Sequence, residues 1–238
     1  MIRHGFPPYL ECSSKNPTGD KRFSAFYARI VNRGNKTIEE IYQASKIFEN
    51  GETNLSIKDA KGRKAINMQE LSLLYSELWD EYFQENADLY QTIKNYEGFS
   101  DIFGQQGHQC QATEIYRIWV KFQLKNLDKI TEEFKHLVVN KRKTNVFDVY
   151  CGRGSVFGNQ YSHLPESKAE YQVATIDQAM AHFRFNLIRQ CSTDSKFKES
   201  VKTLNGKVLA CYCSMPSKPK PCHCYFLAAA SQAYAKTS

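Results

Sequence analysis

The sequence predicts an α+β chain in which a mostly helical N-terminal domain precedes a small α/β C-terminal domain. Three observations lead there. Apolar residues recur at helical spacing across much of residues 37–138, the polar, basic run Asn140-Lys141-Arg142-Lys143-Thr144-Asn145 has linker composition, and beyond it strand-like and helical runs alternate. The charge divides at the same place. Residues 1–140 carry 18 Lys and Arg against 19 Asp and Glu, whereas residues 141–238 carry 14 against 6. The basic second part is therefore the one to suspect of meeting phosphates, and a scatter of lysines that keeps a small domain soluble is the plainer reading of the same composition.

The elements follow in order. Thr37, with Glu40 three residues on, is a capping box that opens a helix through Phe48, and residues 68–85 form an amphipathic helix ending before Asn86. Residues 112–138 align Ile115, Ile118, Trp119, Phe122, Leu127, Ile130, Phe134 and Leu137 on one face of a single long helix. Residues 146–150 make a short strand running into a glycine-rich loop, and 175–190 and 196–204 are helices, the second stopped at Asn205-Gly206. Residues 207–213 then read as an apolar strand and 225–236 as an alanine-rich closing helix. The expected division is an N-terminal segment at 1–19, a domain at 20–118, a connecting helix and basic linker at 119–144, and a second domain at 145–238.

With 42% hydrophobic and 24% charged residues the chain is neither disordered nor fibrous, and no apolar run reaches the roughly 18 residues of a spanning helix. No membrane partner is expected. Eight cysteines are too few for a disulfide scaffold of 238 residues. Four of them, Cys211, Cys213, Cys222 and Cys224, crowd together, which suits reduced thiols or a metal in a cytoplasmic protein.

In the first domain Glu39, Gln43 and Lys46 fall at i, i+4 and i+7, one helix face. An acceptor, an amide and a cation so aligned suit a sugar or phosphate pocket, and a solvated face fits the spacing equally. Five segments, in order, resemble the YbiA/NADAR superfamily over about residues 20–118. They are Phe23-Ser24-Ala25-Phe26-Tyr27, residues 37–48, Ala60-Lys61-Gly62-Arg63, Leu89 with Thr92 and Asp101-Ile102-Phe103-Gly104, and Gly107-His108-Gln109-Cys110-Gln111. The departures from the family pattern are Ala25 for asparagine, Glu40 for histidine and Phe103 for tryptophan. The resemblance implies hydrolysis of an N-glycosidic bond in a nucleotide, an ADP-ribose adduct or a modified base. It assigns Glu39 the charge developing at C1, Lys46 the phosphates or an amine attack, and Asp101 the sugar hydroxyls. Gln43, Arg63 and Gly104 would bind ligand, Arg63 holding a diphosphate. His108 either touches substrate or is a loop histidine satisfied by backbone. Trp79 and Trp119 are read as core.

In the second domain Cys151-Gly152-Arg153-Gly154-Ser155-Val156-Phe157-Gly158-Asn159 lets backbone amides approach an anion, although it is neither a Walker nor a Rossmann sequence and a plain tight turn fits it too. Cys211-Tyr212-Cys213 and Cys222-His223-Cys224 suggest three alternatives: a zinc site on Cys211, Cys213, Cys222 and His223, reduced thiols lining a ligand pocket, or incidental cysteines. Together the two motifs resemble a functionally uncharacterised domain family of bacteria and their phages, carrying D-V-Y-x-G-R-G-S-x-x-G-N and C-x-C followed by P-C-H. That implies a bacterial or phage-infected cytoplasm. The carboxyl ends of the strands would bring both loops to one cleft, with Arg153, Ser155 and Asn159 holding a phosphate or ribose and Cys213, Cys222 and His223 completing it. The leading expectation is an N-glycosidase-type hydrolase with a nucleotide- or nucleic-acid-binding second domain. A non-catalytic nucleotide-binding protein and a zinc-containing nucleic-acid-binding module are the alternatives.

Overall fold

The computed structural model describes residues 1–102, 104, 109–213 and 221–236. It is a mixed α+β structure with a helical N-terminal region, and it divides into two compact units, Met1–Trp119 and Val120–Ser238. No helix among the described residues is long and apolar enough to cross a membrane.

The first unit runs β1 (Ile2–Gly5), β2 (Tyr9–Glu11), β3 (Arg29–Ile30), β4 (Lys36–Thr37), α1 (Ile38–Ala44), α2 (Ile57–Ala60), α3 (Met68–Glu85), α4 (Leu89–Ile93), β5 (Gly98–Asp101) and α5 (Gln111–Gln123), the last crossing into the second unit. Strand β5 is central, antiparallel to β1 with Ile2 opposite Asp101 and parallel to β2 with Tyr9 opposite Gly98. Residues 1–19 thus belong to this unit rather than forming a preceding segment, because residues 2–5 and 9–11 supply the backbone partners of β5. Helix α3 ends at Glu85, as its apolar pattern predicts, and buries Leu71, Tyr75, Leu78, Trp79, Tyr82 and Phe83 on one face. Edge-on ring contacts link Tyr42 to Tyr75 (5.3 Å) and Trp79 to Tyr82 (5.8 Å), each worth about 0.5–1.5 kcal/mol beyond burial. Both tryptophans are fully buried.

Two helix expectations are corrected. Helix α1 stops at Ala44 instead of Phe48, for Ser45 Oγ bonds back to Ile41 O (2.9 Å) and Asn67 takes over the next backbone groups, donating to Ser45 O (3.0 Å) and accepting from Ile47 N (3.0 Å). The single helix over 112–138 is broken at Asn126, which adopts a left-handed φ of 68° between α5 and α6 (Leu127–Phe134).

The second unit continues with β6 (Val138–Asn140), β7 (Val149–Tyr150), β8 (Tyr161–Ser162), β9 (Tyr171–Gln172), α7 (Ile176–Thr193), α8 (Ser195–Lys202), β10 (Leu209–Cys211) and α9 (His223–Ala235). The strands expected at 146–150 and 207–213 are shorter than the sequence suggests, and both belong to one parallel sheet of order β6-β10-β7. Every residue of β10 is buried, as a central parallel strand requires. The core gathers Phe134 and Val138 with Met180, Phe183 and Leu187 of α7 and residues 225–228 of α9. The stretch expected to be only a connector therefore supplies α6 and β6 to this core.

Candidate functional site

In the first unit the capping box forms as read. Thr37 Oγ1 accepts from Glu40 N (3.1 Å) and Glu40 Oε2 accepts from Thr37 N (2.7 Å), and the first turn so fixed places Glu39 in the interior at 9% exposure. Gln43, one turn on, donates Nε2 to Glu39 Oε1 at 2.9 Å. Among the described residues nothing donates to Glu39 Oε2, and Gln43 Oε1 is buried without a partner. Lys46 lies beyond the helix end and donates Nζ to Ala60 O (3.2 Å) and Arg63 O (3.4 Å). Burial holds its ammonium below the usual lysine range; Glu39 opposes that shift and Lys61 adds to it. Glu39 and Gln43 are thus in direct contact, whereas Lys46 stands past the end of α1 and feels Glu39 through its charge.

The other expected residues stand apart from it in role. The Arg63 guanidinium is exposed, paired with the Glu52 carboxylate and laid over the Phe48 ring at 3.9 Å. It lines an open groove of about 770 Å³ with Phe48, Lys64 and Ile66. Asp101 is buried at the end of β5, where burial, Glu11 and then Asp101 raise the Cys12 thiol. Gly104 is a packing residue, since a Cβ there would sit 2.9 Å from Cys110 Sγ and 3.1 Å from Ile2. His108 and Phe103 lie outside the described residues. Sequence reasoning missed Gln111, which accepts from Ala25 N (2.9 Å) and donates to Cys12 O (2.9 Å), while Ala25 O accepts from Glu39 N (2.9 Å). A glutamine opening an amphipathic helix gave the only sequence signal of that brace.

The second unit builds its site at the carboxyl ends of β10 and β7. Cys211 ends β10, Cys151 follows β7, and α9 begins with Cys222 as an extended N-cap and His223 and Cys224 in its first turn. The ligand atoms of Cys211, Cys222, His223 and Cys224 lie within 4.8 Å of one another, and all four residues are buried. The third sulfur of this group is Cys224 rather than the expected Cys213, which is exposed and donates its backbone N–H to Cys211 Sγ at 3.3 Å. Cys211 and Cys222 sulfurs are 3.0 Å apart, and His223 Nε2 is 2.7 Å from Cys151 O. Hydrogen bonding with Cys213 brings Cys211 down to about 7, and hydrogen bonds from Cys211 and Cys213 lower Cys222. Burial works against charging His223, yet the Cys222 hydrogen bond and the nearby thiolates outweigh it and raise the imidazole to about 9. Cys224 goes the other way, its thiol held up by hydrogen bonding with Cys151, Cys211 and Cys222. Three sulfurs and an imidazole nitrogen in one closed, buried set, two of the thiols lowered, are the donor chemistry of a metal site that could hold an ion with four ligands.

The His223 to Cys151 carbonyl contact brings the two motifs together, but they do not form one ligand cleft. Cys222 and His223 are sealed from solvent. Ser155 Oγ donates to Gly152 O (2.8 Å), and Asn159 donates to Ala179 O (3.3 Å) and accepts from Tyr161 N (2.9 Å), so both brace the loop. Of the three loop residues Arg153 alone is exposed, its Nε on Asn159 O at 3.3 Å. The cavity beside the loop, between Phe157, Tyr161, Phe183 and Asn186, holds about 40 Å³, room for a water and not for a nucleotide.

Residues 137–233, about two fifths of the chain, match a family described as a domain of unknown function, DUF4326. No curated protein and no solved structure matches the chain.

Proposed function

We propose that the first unit is a hydrolase of N-glycosidic bonds, acting on a nucleotide, an ADP-ribose adduct or a modified base. The observation that carries this reading is the Glu39 carboxylate, buried, held at Oε1 by Gln43 and undonated at Oε2 among the described residues. The resemblance of residues 20–118 to the YbiA/NADAR superfamily supports the same residue. As the C1–N bond breaks, the bonding pair leaves with the base and positive charge spreads over the sugar ring. Glu39 Oε2 faces that charge and takes a proton from the water that adds to C1, and the departing base is protonated from solvent. Lys46 holds its remaining N–H toward a phosphate, Asp101 orients sugar hydroxyls, and the groove beside Arg63 and Phe48 receives the rest of the ligand once Arg63 leaves Glu52.

Glu39→Gln keeps the size and the Gln43 contact but removes the charge. It should lower base release from ADP-ribosylated guanosine or nucleotide substrates by at least about a hundredfold while leaving ADP-ribose binding in a calorimetric titration unchanged. Wild-type binding without turnover would replace the hydrolase by a nucleotide-binding protein, and neither binding nor turnover would overturn both.

The buried donor set of the second unit supports Zn²⁺ as its ion, held by Cys211, Cys222, His223 and Cys224. With four protein ligands and no open position, the metal would cross-link β10 to α9 and leave catalysis to other groups. Elemental analysis of the purified chain should find about one zinc per molecule, and none would dismiss the metal.

A further inference from the structure

The three loops that follow β6, β10 and β7 have an unusual charge. Residues 141–148, 151–160 and 212–222 contain six Lys or Arg and one Asp, Asp148, whose carboxylate accepts from Val208 N at 2.7 Å. The parallel sheet brings the described cations of two of these loops to either side of one exposed ring. Lys141 N donates to Cys211 O (2.9 Å) and Cys151 N to Ala210 O (2.8 Å), so the chain leaves all three strands at one edge. Buried Asn140 ties two of the loops, accepting from Arg142 N at 2.8 Å and donating to Tyr212 O at 3.5 Å. Tyr212 is 51% exposed, with the Arg142 guanidinium carbon 5.6 Å from its ring centre and Tyr150 edge-on at 6.0 Å. Tyr150 in turn covers Gly152, where a Cβ would collide with its hydroxyl, and Arg153 follows. Arg142, Lys143 and Arg153 are exposed, and no carboxylate pairs with them among the described residues.

We infer that this edge binds single-stranded nucleic acid, with one base stacked on Tyr212 and the flanking phosphates on Lys141, Arg142 and Lys143 on one side and Arg153 on the other. The outer strands of such a sheet stand about 9.5 Å apart, which separates the cations far enough to meet successive phosphates rather than one compact diphosphate. A half-exposed aromatic ring among cations is the arrangement that takes a strand of unpaired bases, and the cavity beside the glycine-rich loop, at about 40 Å³, does not enclose a free nucleotide. The inference does not depend on the hydrolase reading, because its residues and its readout belong to the second unit.

Fluorescence anisotropy of the full chain with a labelled 15-nucleotide oligo(dT) or oligo(rU) tests it. Affinity should fall with added salt at a log–log slope of about −3, the value for four phosphate contacts on a single strand. Tyr212→Ala should bind about tenfold or more weakly, and Lys143→Glu, an exposed substitution that cannot disturb the core, should also weaken binding and flatten the slope. Circular dichroism confirms folding of both variants. No binding at low salt, unchanged affinity in both variants, or equal affinity for a duplex would overturn the inference. Efficient competition by a mononucleotide would overturn it too, moving the site to free nucleotides.

Discussion

Two glycines of one loop, Gly152 and Gly158, carry different duties. A Cβ on Gly158 would meet backbone, 2.7 Å from Gly152 O and 2.9 Å from Arg153 Cα, and backbone can move only by opening the loop. Gly158→Ala should cost the second unit about 1–3 kcal/mol in denaturant titrations. At Gly152 the obstacle is the ring of Tyr150, a half-buried side chain that can swing away. Gly152→Ala should leave stability within about 0.5 kcal/mol of wild type and instead weaken oligonucleotide binding by displacing Tyr150. The same residue-level view explains the cysteines. From the sequence Cys211 and Cys213 look like a pair because alternate strand residues share a face. Cys222, His223 and Cys224 are consecutive, and no strand could aim all three at one point. A helix start can, since the N-cap is extended and the next two residues turn inward, and that is how Cys224 displaces Cys213 from the buried group.

At the scale of elements, α1 depends on its first turn. Thr37→Ala removes the acceptor for Glu40 N and should cost about 1 kcal/mol by urea unfolding. The other half of the box is pH-dependent. The Thr37 backbone N–H holds the Glu40 carboxyl below its usual 4.5, so the folded state binds this proton less readily than the unfolded chain. The stabilisation is therefore complete above the usual carboxylate range and lost as pH falls through it, and Glu40→Gln should flatten that acid limb. These features were legible because their signals are local: a cap, an apolar stripe from Leu71 to Phe83, a stop at Asn86. Asn126 was not, because Leu127, Ile130 and Phe134 keep the apolar rhythm going past a single residue that leaves the helix. Strands β1 and β2 were not, because what makes Ile2–Gly5 a strand is a partner at Gly98–Asp101, nearly a hundred residues away. Of the candidate site, the Glu39–Gln43 pair could be read from spacing, whereas the place of Lys46 past the end of α1, the Gln111 brace and the burial of Cys222 and His223 arise only from tertiary packing.

For the whole molecule, two compact units with separate cores should unfold in two calorimetric transitions. If zinc occupies the sulfur-rich group, a strong chelator should lower one transition by several degrees and leave the other in place, as expected for a ligand bound only to the folded second unit. Both units also share an arrangement of strands whose consequence is temporal. In each three-stranded sheet the middle strand is the last of the three along the chain, β5 between β1 and β2, and β10 between β6 and β7. During translation the outer strands emerge first and have nothing to pair with. At about 5–20 residues per second, β7 waits about 3–12 s for β10 to be made. The nascent second unit thus passes through an interval with unpaired edges, and its sheet and its group of Cys211, Cys222, His223 and Cys224 become available almost together.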